Sequence, residues 1–487
     1  MIAKTDNSKA KVAIFGIGLA AYWPQFDGLK TRLESYQKEI ESKLSSLGAN
    51  VISAGLVDDP ITARQAGDYF SKENVDLIIC YVATYATSSQ VLPVVQRRNV
   101  PVLVLNLQAT AALDYPNTDT AEWLANCSAC CVPEISNAFA RSRIQFNVIT
   151  GILFATNNSS NKYYERAWHE IGDWIQAATA MRYLNYSRIG FLGHTYPGML
   201  DLYSDFTMHH AQLGSHIEVL EIDDLHKRLT TVTKEEIEDK INEIKRTFDI
   251  AETSRDKISE AVTKESLEWS AKVACGLDKL VADFDLQGLA YYYRGLDGNP
   301  NEELAASVIV GNSLLTSRGI ATAGEGDLKT CVAMMIMNQL NAAGSFTEFY
   351  ALDFNEDFIL MGHDGPGHIK ITDKKPILRA LGLFHGKRGY GLSVEFKVHS
   401  GAITILSLTQ TADGNLKMVV AEGEAIAGPT MQIGNTNSRL KFKLDPASFM
   451  NTWCEQGPTH HCALGLGHQA KRIQKIARLM NLELVII

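Results

Sequence analysis

Short apolar runs alternate with helix-length amphipathic stretches through the first two thirds of the chain, and this alternation restricts its fold more than any other feature. Val12–Phe15, Val51–Ser53, Leu77–Tyr81, Val102–Leu105 and Asn147–Thr150 read as buried strands. Continuous apolar strands with helices between them predict a parallel sheet covered on its faces. An amphipathic helix over Tyr164–Tyr183 precedes a second series, Arg188–Leu192, Ile217–Ile222, Gly288–Tyr292 and Ile320–Ala323, and so a second α/β unit. Within that series Thr233–Trp269 is rich in Glu, Lys and Arg with Ile, Leu and Val at helical spacing, which predicts a solvated helix pair. After residue 345 the texture changes. Ser393–Lys397, Ala402–Leu408 and Lys417–Ala421 carry β-formers, with Asp413-Gly414 as a turn between the last two, so this region reads as antiparallel β. Gln469–Leu479 returns to helical spacing before the largely apolar end Leu482–Ile487.

The chain has 487 residues, which at roughly 100 to 200 residues per domain predicts about three domains. Its 46 Lys and Arg against 55 Asp and Glu give a net charge of −9. Such a balance supplies no general field for phosphate backbones, and nucleic acid is not an expected partner. Met1–Lys11 is polar and shows no secretory signal. No run reaches the roughly 18 apolar residues that a membrane crossing needs, so no membrane partner is expected. Eight cysteines are too few for a disulfide framework in this length, and they read as reduced thiols of a cytoplasmic protein.

Two motifs imitate known sites. Gly16-Ile17-Gly18-Leu19-Ala20-Ala21 follows the first strand in a GxGxxA spacing, but Pro24 and the bulky Tyr22-Trp23-Pro24-Gln25-Phe26 segment extend the loop where a phosphate-binding helix should begin. A strand-end loop is the better reading, and no nucleotide cofactor is expected. Cys127-Ser128-Ala129-Cys130-Cys131 contains a CxxC spacing without a second ligand pair, which favours unligated cysteines over a zinc site.

The last third carries more chemistry. Seven of the thirteen histidines fall at or after residue 363: His363, His368, His385, His399, His460, His461 and His468. Ala323-Gly324-Glu325-Gly326-Asp327 ends a predicted strand, placing Glu325 at the C-terminal edge of a sheet, where open α/β folds bind ligands, with Asp327 as the N-cap of the next helix. Glu348, in Gly344-Ser345-Phe346-Thr347-Glu348-Phe349-Tyr350, lies among aromatic and small residues, where a charge needs a cation or a hydrogen-bond partner. His363 closes the apolar strand Phe358–Gly362 before an Asp364-Gly365-Pro366-Gly367-His368 turn, and His460-His461 follow Gly457-Pro458-Thr459. Two glutamate and two histidine motifs suggest one divalent-cation site of mixed oxygen and nitrogen ligands, suited to Mn²⁺ or a similar ion.

In this order the four motifs resemble the L-arabinose isomerase family, whose pattern runs Gly-Glu-Gly-Asp, Ser-Phe-x-Glu, a strand-closing His and a His-His pair. The resemblance implies metal ligands at Glu325, Glu348, His363 and His461, with Glu325 and Glu348 also the acid/base pair. It further implies two Rossmann-like domains, residues 1–186 and 187–344, a β-rich, barrel-like C-terminal domain, residues 345–487, and a homo-oligomer, a trimer or hexamer. His460 and Asp364 are expected to contact the ligands or a carbohydrate substrate. The pattern departs elsewhere: Cys130 stands where the family has a substrate-contacting His, and Tyr22 and Gln25 occupy a first loop of different sequence. All three are weaker candidates for substrate contact.

The chemistry implied is aldose–ketose interconversion of a pentose or hexose through an enediol, with Mn²⁺ or another divalent cation. Two alternatives stay open: the same centre serving epimerisation, elimination or cleavage of a modified sugar, and a sugar-binding regulator without turnover.

Overall fold

The computed structural model describes residues 9–96, 100–155, 161–294, 299–384, 387–388 and 391–487. The chain divides into two compact units, residues 1–182 and 183–487. In the first, β1 (Lys11–Ile17), β2 (Asn50–Val57), β3 (Leu77–Val82), β4 (Val102–Gln108) and β5 (Phe146–Ile152) form a wholly parallel sheet in the order β2-β1-β3-β4-β5. This is a doubly wound arrangement. All six residues of β3 are buried, which is why that strand reads as one unbroken apolar run. The loop after β1 is long, as its bulky residues predict: a single 3₁₀ turn, Ala20–Tyr22, precedes the helix that begins at Leu29.

The second unit opens with β6 (Arg188–Gly193) and β7 (His216–Leu220). The predicted helix pair is only partly there. Helix Lys234–Thr247 is followed by a short strand, β8 (Asp249–Ile250), and an irregular stretch before helix Lys264–Phe284. The interruption has a tertiary cause that helical spacing cannot reveal, since β8 pairs with a strand from beyond residue 370. Next come β9 (Gly288–Tyr292) and β10 (Ala321–Ala323), completing a parallel sheet in the order β10-β9-β6-β7. The chain leaves β6 toward β7 on one side and returns to β9 on the other, so the sheet has its switch point between β6 and β9, the place where such sheets hold ligands.

The remainder is β-rich. β11 (Ser345–Asp353) and β12 (Phe358–His363) are followed by the short strands β13 (Ile377–Arg379), β14 (Leu383–Phe384), β15 (Lys387–Arg388) and β16 (Ser393–Glu395). Then come β17 (Gly401–Gln410), β18 (Leu416–Ile426), β19 (Thr436–Phe442), β20 (His461–Leu466) and β21 (Glu483–Ile486). β13 joins β8 and β16, and β14 pairs with β15. Strands β17-β20-β11-β12-β19-β18 run antiparallel, and β17 pairs with β18, closing six strands into a barrel, with β21 added in parallel to β18. Closure leaves those six strands without a free edge. The Asp413-Gly414 turn joins β17 to β18, with Gly414 at φ 81°. No helix among the described residues is long and apolar enough to cross a membrane.

His209, on helix Phe206–Leu213, is wholly buried, and neither ring nitrogen has a hydrogen-bond partner among the described residues. Burial and the Lys329 ammonium lower its pKa to about 4, against the opposing Asp327 and Asp205 carboxylates. The unfolded chain takes up this proton near an ordinary histidine pKa of about 6.5. Acidification between that value and about 4 therefore favours unfolding, by about 1.4 kcal/mol per pH unit from this group. Urea midpoints measured at pH 7.5 and pH 5 should fall further for the wild type than for His209→Met; equal losses would contradict the assignment.

Candidate active site

β11 is the central element of the site. Its neighbour β20 places His461 directly opposite Glu348, and β12 on the other side places Gly362 opposite Glu348, so His363 follows one residue on. Side chains from three adjacent strands thereby meet at one end of the barrel. The Phe346 ring lies against both imidazoles, with centroids 4.6 Å from His363 and 4.2 Å from His461.

Glu325 arrives from the parallel sheet. It follows β10 in a left-handed conformation, φ 59°, unusual for a residue with a Cβ. Its carbonyl accepts the Tyr196 N–H at 2.9 Å, and the Gly326 N–H donates to the Tyr291 carbonyl at 3.0 Å. Gly326 is required on two grounds: its φ is 69°, and a Cβ there would stand 2.6 Å from the His194 carbonyl oxygen. Asp327 caps helix Leu328–Gln339 as expected, accepting the Thr330 N–H at 2.9 Å.

Asp327 has a second task that the sequence did not disclose. Its other carboxylate oxygen lies 3.0 Å from His461 Nδ1, and both side chains are fully buried. Burial works against this charge, but the His461 bond and the Lys329 ammonium hold the Asp327 carboxyl below the usual range. With Nδ1–H directed to a carboxylate, the His461 lone pair is on Nε2, the arrangement typical of metal-binding imidazoles. That Nε2 stands 3.8 Å from Glu325 Oε2, and both atoms are buried without a hydrogen-bond partner among the described residues. An orphaned buried carboxylate oxygen beside an orphaned imidazole nitrogen fits a cation between them.

Possible ligand atoms gather in two triads, Glu325–His460–His461 and Glu348–His363–His461, each with its atoms within 4.8 Å of one another. The four expected ligands are thus shared between two triads that meet at His461. His363 is the least prepared of them. Gly365 N–H donates to its Nδ1 at 2.8 Å, which leaves the ring proton on Nε2, so binding through Nε2 requires that proton to move. Burial pushes the Glu348 carboxyl up, opposed by the His461 and His460 rings and reinforced by Glu325 and Asp364.

His460 lies between two acids. Its Nδ1 is 2.7 Å from Asp201 Oδ2 and its Nε2 3.6 Å from Glu325 Oε2. Burial alone would lower its pKa, but the hydrogen bond to Asp201 and the nearby Glu325 carboxylate raise it to about 10. Burial likewise works against Asp201, yet its bonds to His460 hold it down at about 2. A cavity of about 260 Å³ opens at the switch point of the parallel sheet, lined among others by Tyr196, Tyr291, Arg294, Glu325, His363 and Asp364.

Residues 204–343 match the family described as L-arabinose isomerase central domain, and residues 343–483 match L-arabinose isomerase C-terminal domain. The chain belongs to the L-arabinose isomerase family. It is a divergent member. A sulfoquinovose isomerase of Alkalicoccus urumqiensis is 22% identical over 424 residues, covering 84% of this chain and 86% of that protein. An L-arabinose isomerase of Saccharophagus degradans is 21% identical over 457 residues, covering 91% and 86%. Another, from Acidothermus cellulolyticus, is 22% identical over 418 residues, covering 84% and 80%.

The weaker candidates of this family member lie in the first unit. Tyr22 ends the 3₁₀ turn, and its hydroxyl is pushed up by burial and by nearby thiols, those of Cys127 and Cys130 among them. The Gln25 amide donates to the Ala21 carbonyl at 2.6 Å. Cys130 is exposed, whereas burial raises Cys127 to about 12 and Cys131 to about 11, making those thiols poor nucleophiles and ligands. Among the described residues His368, His399 and His468 join neither triad, and His385 lies outside the described residues.

The backbone at Glu325 suits glycine better than glutamate, so its side chain is retained against local preference. Glu325→Gly should keep or raise stability, by up to about 1 kcal/mol, in urea denaturation with chelator present. A loss larger than that would make the side chain a structural element.

Proposed function

We propose that the chain is a divalent-metal-dependent aldose–ketose isomerase acting on a pentose or hexose, with Mn²⁺ or another divalent cation held by Glu325, Glu348, His363 and His461. The observation that carries this reading is the buried, unpartnered pair of Glu325 Oε2 and His461 Nε2 beside a second carboxylate, Glu348. Moving a hydrogen between C1 and C2 needs a base, an acid and an opposing charge for the enediolate oxygen. A bound divalent cation supplies that charge as a Lewis acid.

The protein's own groups supply the rest. Glu325 and Glu348 exchange the proton, and their environments differ: Glu348 is biased by burial toward its protonated form, while Glu325 faces His460. Asp327 keeps His461 oriented, and Phe346 packs against both imidazoles. His460 and Asp364 contact the hydroxyls of the sugar, with Asp364 on the cavity wall.

A second reading keeps the centre and changes the substrate to a modified, anionic sugar. Arg294 favours it, since it lines the cavity and no carboxylate among the described residues lies within ion-pair distance of it. One relative is a sulfoquinovose isomerase.

Ketose formation measured with Mn²⁺ over a panel of free pentoses and hexoses, beside Glu325→Gln, tests the proposal. One sugar should turn over, and the variant should lose about 10²- to 10⁴-fold in kcat. Undiminished turnover in the variant would sink the assignment of Glu325. Turnover of a sulfonated or otherwise anionic sugar alone would replace the first reading by the second.

A further inference from the structure

We infer that the loop leaving β6, residues 194–204, is the element that positions His460 against Glu325, with Asp201 as its positioning residue; the kinetic part of this inference rests on the isomerase reading above. The loop starts under constraint. Gly193 has φ 83°, and a Cβ there would meet the Tyr292 carbonyl oxygen at 2.1 Å, so the chain leaves β6 pressed against β9. His194 N–H then donates to that same carbonyl at 3.0 Å.

Three anchors tie the loop to the site. The first is the Tyr196 N–H on the Glu325 carbonyl, which braces the left-handed backbone that presents the carboxylate. The second is Asp201, whose Oδ2 accepts both the His460 backbone N–H at 2.9 Å and His460 Nδ1 at 2.7 Å. One oxygen thus fixes the main chain and the ring of the same residue, and the ring's other nitrogen is aimed at Glu325 Oε2. The third closes the loop. Lys329, 1% exposed, donates to the Tyr203 carbonyl at 2.9 Å and lies 3.0 Å from Ser204 Oγ. Lys329 belongs to the helix that Asp327 caps, so the loop's far end is held by the segment that also orients His461.

The Asp201–His460 contact is not there for stability. The two side chains are 37% and 34% exposed, and ion pairs of that exposure contribute about 0 to 1 kcal/mol. What the contact fixes is direction. Without the Asp201 acceptor the His460 ring is free to rotate, and a displacement of about 1 Å at a reacting site costs on the order of 10²-fold in rate.

The test combines Asp201→Ala, Asp201→Asn, His460→Ala and the Asp201→Ala/His460→Ala double variant. Asp201→Ala should lower kcat by about 10- to 100-fold with KM changed less than about threefold and the melting temperature nearly unchanged. Asp201→Asn, which still accepts one of the two bonds, should recover part of the loss. Relative to His460→Ala the double variant should lose much less than Asp201→Ala loses relative to the wild type, because Asp201 acts chiefly through that ring. A crystal structure of Asp201→Ala should show the His460 ring turned away from Glu325, a readout that needs no turnover. An additive loss in the double variant, or an unmoved ring, would overturn the inference. If the wild type isomerises no sugar, the isomerase reading falls and the crystallographic result alone decides this one.

Discussion

The pairing of β11 with β20 is the constraint on which the site depends. Glu348 and His461 are opposite each other in an antiparallel ladder that runs from Ser345–Leu464 to that pair. A shift of one residue would turn every side chain of β11 to the other face of the sheet and break up the cluster. The register is protected on both sides. β12 locks Glu348 opposite Gly362, and Gly362 must be a glycine because a Cβ there would stand 1.9 Å from the Thr436 carbonyl oxygen of β19. Closure of the barrel then leaves β11 no edge along which to slip.

The barrel supplies Glu348, His363 and His461, and the parallel sheet supplies Glu325 and the two acids that hold the histidines. Asp327 and Asp201 come from loops at the C-terminal edge of that sheet, and each takes the Nδ1 of one member of the His460-His461 pair. The neighbouring histidines are thereby given different characters. His461 is fully buried with an open Nε2, whereas His460 is half-exposed and held between two carboxylates. The cavity at the switch point lies where both contributions meet, with Glu325 from the sheet and His363 from the barrel on its wall.

How much of this was legible in the sequence follows from what each element depends on. β1, β3 and β4 are buried on both faces, so their apolar runs announced them without tertiary information. β19 did not stand out, because its Asn437, Ser438 and Arg439 are polar yet buried. Arg439 is accommodated by Glu356 at 2.6 Å and by the face of Phe358, partners invisible from its own segment. β8 broke the expected helix pair for the same reason. Within the site the two glutamate motifs, glycine-flanked at Glu325 and aromatic-flanked at Glu348, and the histidine motifs were readable in the sequence. The Asp327–His461 and Asp201–His460 contacts were not, since they join residues 134 and 259 positions apart. An N-cap aspartate signals its helix in the sequence, and its second oxygen signals nothing.

The central claim is that Glu325, Glu348, His363 and His461 enclose one divalent-cation site at the junction of barrel and sheet. Anomalous diffraction from crystals grown with Mn²⁺ tests it most directly. The account predicts a single strong peak bounded by those four side chains, with His461 bound through Nε2 while its Nδ1 stays on Asp327. No peak at saturating Mn²⁺, or a peak held by other residues, would contradict it.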